Sequence, residues 1–253
     1  MKIFIITLVL VYLLICLLFY IFQRSFLYFP QPAGQVDATG ISFDNKGQIL
    51  TGWILNPGQQ QALIYYGGNA GAIENNIDFL GKVATDYSIY LIPYRGYGNN
   101  QGKPTEKALY SDAVYIYDQV IKRHQSISLM GRSLGSGIAT YVAANRQVEQ
   151  LILSTPYDSI QNVAKEHYPF LPVSLLATDK FLSIERAAKI SSKTLILIAE
   201  DDRVISRARS EALAKAFAGE ILSKRLIKGA GHNDISLYPT YATEIEEFLK
   251  VRK

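Results

Sequence analysis

A single cysteine, Cys16, stands among 253 residues. That excludes an intrachain disulfide and any metal site built on cysteines. Histidine is nearly as scarce, with only His124, His167 and His232. Charge of one sign is missing too: the net charge is +4, with lysines and arginines scattered among acids, so no basic patch asks for nucleic acid. There is no internal repeat, no low-complexity run and no pattern that calls for a cofactor or a metal; none of these is expected. Hydrophobic residues make up 49% of the chain, which supports a packed core and argues against disorder. The length suffices for one sizeable domain or two small ones.

Residues 3–22, "IFIITLVLVYLLICLLFYIF", lack any charge, and Thr7 is their only non-aromatic hydroxyl. As a helix they would cover roughly 30 Å, the thickness of a bilayer's hydrocarbon core. Phe19, Tyr20, Phe22, Phe26, Tyr28 and Phe29 crowd the far end, as suits a membrane interface. A core helix would show a polar face, and this one has none. A signal peptide would have a shorter apolar stretch and a small-residue cleavage site, which "QRSFLYFPQP" does not offer. The expectation is an uncleaved transmembrane anchor over residues 1–26, then a linker over 27–40 in which proline prevents the helix from continuing. Orientation is weakly encoded, since Lys2 flanks one side of the span and Arg24 the other; the short N-terminal flank with Lys2 leans toward an N-terminus inside and a domain outside the cytoplasm.

Apolar runs downstream predict strands at 49–55, 62–66, 88–92, 127–130, 151–154, 194–199 and 224–227. Several are continuous rather than alternating, which fits strands buried on both faces. Helical spacing predicts helices over 72–84, 105–123, 134–146, 206–218 and 240–251. The alternation points to a mostly parallel sheet with helices on both faces, within a domain spanning 41–253. Residues 156–190 break the rhythm. They hold Pro156, Pro169 and Pro172 and are expected to form a small insertion over one end of the sheet.

The stretch "LMGRSLGSGIAT" (129–140) sets Gly131, Ser133, Gly135 and Gly137 on alternate positions between a predicted strand and a predicted helix. Glycine is costly in either element. A phosphate loop, a turn presenting a nucleophile and a plain flexible turn all fit at first. Ile138 and Ala139 follow Gly137 where a Walker loop needs lysine and a hydroxyl. Thr140 stands where G-x-G-x-x-G needs its third glycine. The pattern G-x-S-x-G does fit, at Gly131–Gly135. It bends strand into helix so tightly that the flanking positions must lack side chains, and it lifts the serine hydroxyl clear of the sheet.

Serine needs a base. His124 precedes the serine near a helix end, and His167 falls in the insertion; both read as structural. His232 sits in the glycine-rich "KGAGHND" after the last predicted strand. Glu200, Asp201 and Asp202 follow the 194–199 strand and could orient the imidazole. The chain order serine, acid, histidine is that of hydrolases built on such sheets.

On these residues the chain resembles the α/β-hydrolase superfamily, and within it the membrane-anchored Bem46-type serine hydrolases and the alpha/beta hydrolase domain-containing proteins 13 and 17. The blocks that carry the likeness are "YGGNAG" (66–71), "PYRGYGNNQGKPTE" (93–106), "GRSLGSG" (131–137), "STPYDSI" (154–160), "YPFLPVSLL" (168–176), "EDDRVI" (200–205) and "GAGHND" (229–234).

The resemblance implies an α/β-hydrolase fold with Ser133 as nucleophile, His232 as base and Asp202 as its partner. "GGNAG" matches the family's oxyanion loop, with Gly67 in place of the usual histidine. The backbone N–H groups of Asn69 and Leu134 are the implied oxyanion donors. Arg95 and Tyr97 fall in the family's "RGYG" block, where they either brace the site or, the reading to be preferred, simply form a packed turn. The likeness thus implies a membrane-anchored serine hydrolase that needs no cofactor. It would act on a small-molecule or lipid acyl substrate through an acyl-enzyme, on an ester or thioester bond. A peptidase or amidase, and a catalytically silent scaffold of the same fold, are the competing expectations.

Overall fold

The computed structural model describes residues 1–250 except Gln35 and Asp37. Those two positions of the expected linker, and the end of the last predicted helix at 251, lie outside the described residues.

The first element, α1 (Lys2–Leu27), is the charge-free stretch expected from the sequence. It is long and apolar enough to cross a membrane, with a mean hydropathy of 3.0, and it is almost entirely unburied. The chain then runs extended to a hairpin, β1 (Thr39–Asn45) and β2 (Gln48–Leu55). Lys46 and Gly47 both take positive φ at its tip, the backbone of a two-residue turn matched to strand twist. β1 is not among the predicted strands. It begins inside the segment read as linker and buries only one face.

The remaining elements alternate as the apolar runs suggest. β3 (Gln61–Tyr66), α2 (Ile77–Val83), β4 (Tyr87–Leu91) and α3 (Glu106–Val120) come first. β5 (Ser126–Arg132), α4 (Leu134–Ala143) and β6 (Gln150–Ser154) come next. The insertion carries α5 (Ile160–His167), α6 (Val173–Leu176) and α7 (Ile184–Ala187). β7 (Lys193–Ala199), α8 (Arg207–Ala214), β8 (Leu222–Ile227) and α9 (Pro239–Lys250) close the chain.

Among the described residues the strands form one eight-stranded sheet, ordered β1-β2-β4-β3-β5-β6-β7-β8. Only the β1–β2 and β2–β4 pairings are antiparallel. Period-two alternation divides each inner strand between two cores. Ala62, Ile64 and Tyr66 of β3 pack with α3 and α4 on one face. Leu63 and Tyr65 pack with α2 and α9 on the other. β4 and β6 are buried along their whole length, which is why their sequences are continuously apolar.

The edge strand β8 is half solvated. Its Lys224 pairs with Glu211 at 2.5 Å and its Arg225 with Glu244 at 2.9 Å, and such charges discourage further strand pairing.

β3 has β4 on one side and β5 on the other, so successive connections leave it in opposite directions. In parallel sheets this reversal opens a crevice beyond the carboxyl ends of the strands, where sites form.

Candidate active site

The loops that leave the carboxyl ends of β3, β5, β7 and β8 meet in that crevice. Ser133 follows β5 with φ 51° and ψ −120°, a conformation that L-residues avoid and that costs on the order of 1–3 kcal/mol. The turn is held from two sides. Ser133 N–H donates to the Ser154 carbonyl at the end of β6 (3.0 Å), and Ser136 N–H donates back to the Ser133 carbonyl (2.8 Å). The flanking glycines are required by close approach. A Cβ on Gly131 would fall on the Gly135 carbonyl oxygen, and one on Gly135 would fall on the Tyr66 carbonyl oxygen. α4 begins at the next residue, so its unpaired N–H groups and positive dipole end face the serine.

His232 reaches the serine from the loop after β8. Its Nε2 is 2.9 Å from Ser133 Oγ. Its Nδ1 is 2.7 Å from Asp202 Oδ2. The carboxylate fixes the tautomer, with Nδ1–H donating to Asp202 and bare Nε2 accepting from the serine hydroxyl. Asp202 is itself fully engaged, because its Oδ1 accepts from Val204 N–H at 2.9 Å and Ile205 N–H at 2.8 Å. Its side chain is only 3% exposed. Asp201, next to it, is exposed. Glu200 accepts from Gly229 N–H at 2.8 Å, which ties the acid loop to the histidine loop. Of the three acids after β7, then, Asp202 alone meets the imidazole.

The loop after β3 lies against Ser133. A Cβ built on Gly68 would sit 3.7 Å from Ser133 Cβ. Its neighbours are clamped by tyrosines. Tyr94 Oη donates to the Gly67 carbonyl (2.7 Å), and Tyr97 Oη donates to Asn69 Oδ1 (2.9 Å). Burial pushes both phenols above their usual range, so both stay protonated and keep donating. Phe29 N–H makes a second bond to Asn69 Oδ1, 3.1 Å long. Tyr97 thus braces this loop. Arg95 lies on the far side of its own turn, paired with Asp112 by two bonds of 2.5 and 2.6 Å.

Of the other histidines, His124 stands apart and His167 lines the cavity over Ser133 without meeting the Ser133 hydroxyl among the described contacts. His124 lies between Tyr90 Oη (2.8 Å) and the Gln59 carbonyl (2.9 Å) at the opposite end of the strands. His167 Nε2 sits 2.9 Å from the Val204 carbonyl.

Sequence reasoning misses two residues of the site. Arg132, the variable residue before the serine, donates from Nη2 to the His232 carbonyl at 3.0 Å, bracing the histidine loop from the nucleophile's own turn. Tyr94, inside "PYRGYG", is the other. Neither carries a local signal, because each bond joins segments far apart in the chain.

Above Ser133 lies a cavity of about 330 Å³. Ser133, Leu134 and Asn69 line it together with residues of α5 and, unexpectedly, of α1.

No family model matches the chain. An uncharacterized protein of Mycobacterium tuberculosis is 31% identical over 232 residues, covering 85% of this chain and 82% of that protein. Alpha/beta hydrolase domain-containing protein 17C of Xenopus laevis is 29% identical over 204 residues, covering 77% of this chain and 63% of that protein. Among solved structures, the Pyrococcus furiosus esterase Pf2001 superposes with a TM-score of 0.71 at 14% identity, over 89% of this chain and 99% of its own. Est1E of Butyrivibrio proteoclasticus with ferulic acid bound gives 0.69 at 17% identity, over 83% and 97%.

Proposed function

The chain belongs to the α/β-hydrolase superfamily, and from that premise we propose that it is a membrane-anchored serine hydrolase that cleaves ester or thioester bonds. The observation that carries this reading is the relay Ser133 Oγ–His232 Nε2–Asp202 Oδ2, with contacts of 2.9 and 2.7 Å.

In the proposed reaction His232 Nε2 takes the serine proton as Ser133 Oγ attacks the acyl carbonyl. Asp202 holds the imidazole in the correct tautomer and supports its positive charge. The oxyanion forms beside the start of α4 and the Gly67–Asn69 loop, where the N–H groups of Leu134 and Asn69 are the assigned donors. Collapse breaks the bond to the leaving oxygen or sulfur, which takes the proton from His232 and departs. His232 then draws a proton from water, water attacks the acyl-serine carbonyl, and the acid leaves as the proton returns to Ser133. The chain supplies the nucleophile, the base and the oxyanion donors, and water supplies the second nucleophile.

In this reading α1 is the anchor. Lys2 and the short N-terminal flank support a hydrolase domain on the extracytoplasmic side, against Arg24 at the other end of the span. A fluorophosphonate probe tests the chemistry. Labelling of the full-length protein that disappears in Ser133→Ala supports it. A well-folded protein that takes no label is a silent scaffold instead.

A further inference from the structure

The cavity over Ser133 is closed on one side by the helix read as a membrane anchor. Phe19, Gln23, Phe26 and Leu27 of α1 line it, facing Ile160 and Ala164 of α5. An anchor that only tethered a domain would have no reason to touch it. Here the far end of α1 is clasped to the insertion. Arg24 Nε donates to Asp179 Oδ2 at 3.1 Å, and Tyr28 Oη donates to the same oxygen at 3.0 Å. Gln23 Nε2 donates to the Leu176 carbonyl (3.1 Å) and Gln23 Oε1 accepts from Thr178 N–H (2.8 Å).

The clasp continues down the helix. Cys16 and Phe19 pack against Leu171 and Val173 of the insertion, and Tyr12 Oη donates to the Phe170 carbonyl (3.1 Å). From Arg24 to Cys16 is about 12 Å of helix rise. With Arg24 at the polar boundary, the insertion therefore accompanies the span for about 12 Å to Cys16 and about 18 Å to Tyr12, deeper than the roughly 5–10 Å reached by elements that lie in a membrane surface. Its sequence suits that place, since residues 168–178 hold no charge. Phe170 is 61% exposed and Leu175 84%, an arrangement unfavourable in water and favourable in lipid.

We propose that α1 and the insertion together form a lipid-facing slot, and that the cavity between them takes the acyl chain of a membrane-resident ester or thioester directly from the bilayer. The chain lies between Phe19 and Phe26 on one side and Ile160 and Ala164 on the other, with its carbonyl at Ser133. Most of the wall is apolar and matches a hydrocarbon chain, with Gln23, Gln161, His167 and Asp179 as its polar members besides Ser133 and Asn69. This deepens the hydrolase reading and rests on it for the chemistry, but acyl occupancy can be measured without turnover.

The experiment uses the full-length Ser133→Ala protein in phosphatidylcholine nanodiscs with a palmitic acid carrying a diazirine. Crosslinks are expected on residues 160–168 as well as on 19–29. Ile160→Trp and Ala164→Phe, each checked for folding by its melting curve, should reduce the crosslinks on 160–168 at least tenfold. Crosslinks confined to residues 3–15, or indifferent to both substitutions, would overturn the proposal.

In parallel, wild-type kcat/KM on p-nitrophenyl esters from acetate to dodecanoate should rise roughly fourfold per methylene while the chain is being buried. The dodecanoate-to-acetate ratio should fall at least tenfold in Ile160→Trp. A flat wild-type profile would overturn the slot. Crosslinking with neither ester turnover nor fluorophosphonate labelling would reject the hydrolase reading and leave the acyl slot supported.

Discussion

The backbone N–H of Phe29 donates to the side-chain oxygen of Asn69. The second residue beyond the long apolar helix therefore holds the loop that lies against the nucleophile. α1 and the reactive serine are linked through two contacts, although more than a hundred residues separate them in sequence.

Removing residues 1–26 should accordingly leave a folded protein with altered selectivity. The two large apolar clusters flanking the sheet contain no residue before Leu27, so melting should stay cooperative. The truncation deletes Phe19, Gln23 and Phe26 from the cavity wall and uncovers Leu171 and Val173. Turnover of a dodecanoate ester should drop at least tenfold relative to acetate, and the protein should need detergent to stay monomeric. Size-exclusion chromatography and ester kinetics on the truncated form check both points.

Asp202→Asn should lower kcat by roughly 10³–10⁴. Asparagine keeps the size but favours the wrong imidazole tautomer and removes the charge that supports protonated His232. Asp201→Asn should change kcat less than about threefold, since that side chain is exposed and away from the imidazole; surface changes of this kind seldom alter more than local solvation. Measuring kcat for both on one activated ester, with melting curves as a folding control, decides between them. A larger loss at Asp201 would move the acid by one position.

Tyr97→Phe removes one of the two hydrogen bonds to Asn69 Oδ1. Stability should fall by about 1 kcal/mol. If the Asn69 loop supplies an oxyanion donor, kcat should fall by on the order of tenfold with KM little changed, because the loop acts on developing charge. An equal rise in KM at constant kcat would instead make the loop a substrate-binding element.

His124 gives the fold a pH dependence of its own. Burial, with a smaller contribution from the Arg123 charge, holds its pKa below the usual 6.5. The unfolded chain therefore binds the proton more tightly than the folded one. This contribution to stability is complete above about pH 6.5 and is lost as pH falls from there toward the lowered value. The melting temperature should decline below pH 6.5, and His124→Gln should flatten that part of the profile. An unchanged slope would place the sensitivity elsewhere.

Much of this molecule is legible in its sequence. The inner strands are buried on both faces, so runs such as 151–154 and 194–199 are uninterrupted and unmistakable. β1 escapes that signal. "TGISFDN" touches only one neighbouring strand and buries one face, so half of its residues are free to be polar. Its Lys-Gly turn is also weaker punctuation than Asn-Gly. At the site, close backbone approach dictates glycine at 131 and 135, and chain order points to His232. The bonds from Arg132 and Tyr94 are invisible because they depend on where distant loops converge. The contact of α1 with the insertion is hidden for a related reason. Membrane helices and pocket walls are both apolar, so composition alone cannot separate the two roles.

The clasp between α1 and the insertion divides the helix into portions with unequal freedom to change. Through residue 15, only the Tyr12 hydroxyl meets the domain among the described contacts, and almost any apolar helix would serve. From Cys16 onward each turn carries a partner on the insertion. A chimera that exchanges the first portion for an unrelated membrane span should keep its preferred ester, whereas exchanging the second should change it even if the protein remains in the same membrane. On the acyl-slot proposal, membrane location and ester selection fall to adjacent turns of one helix, and only the first can be rewritten independently.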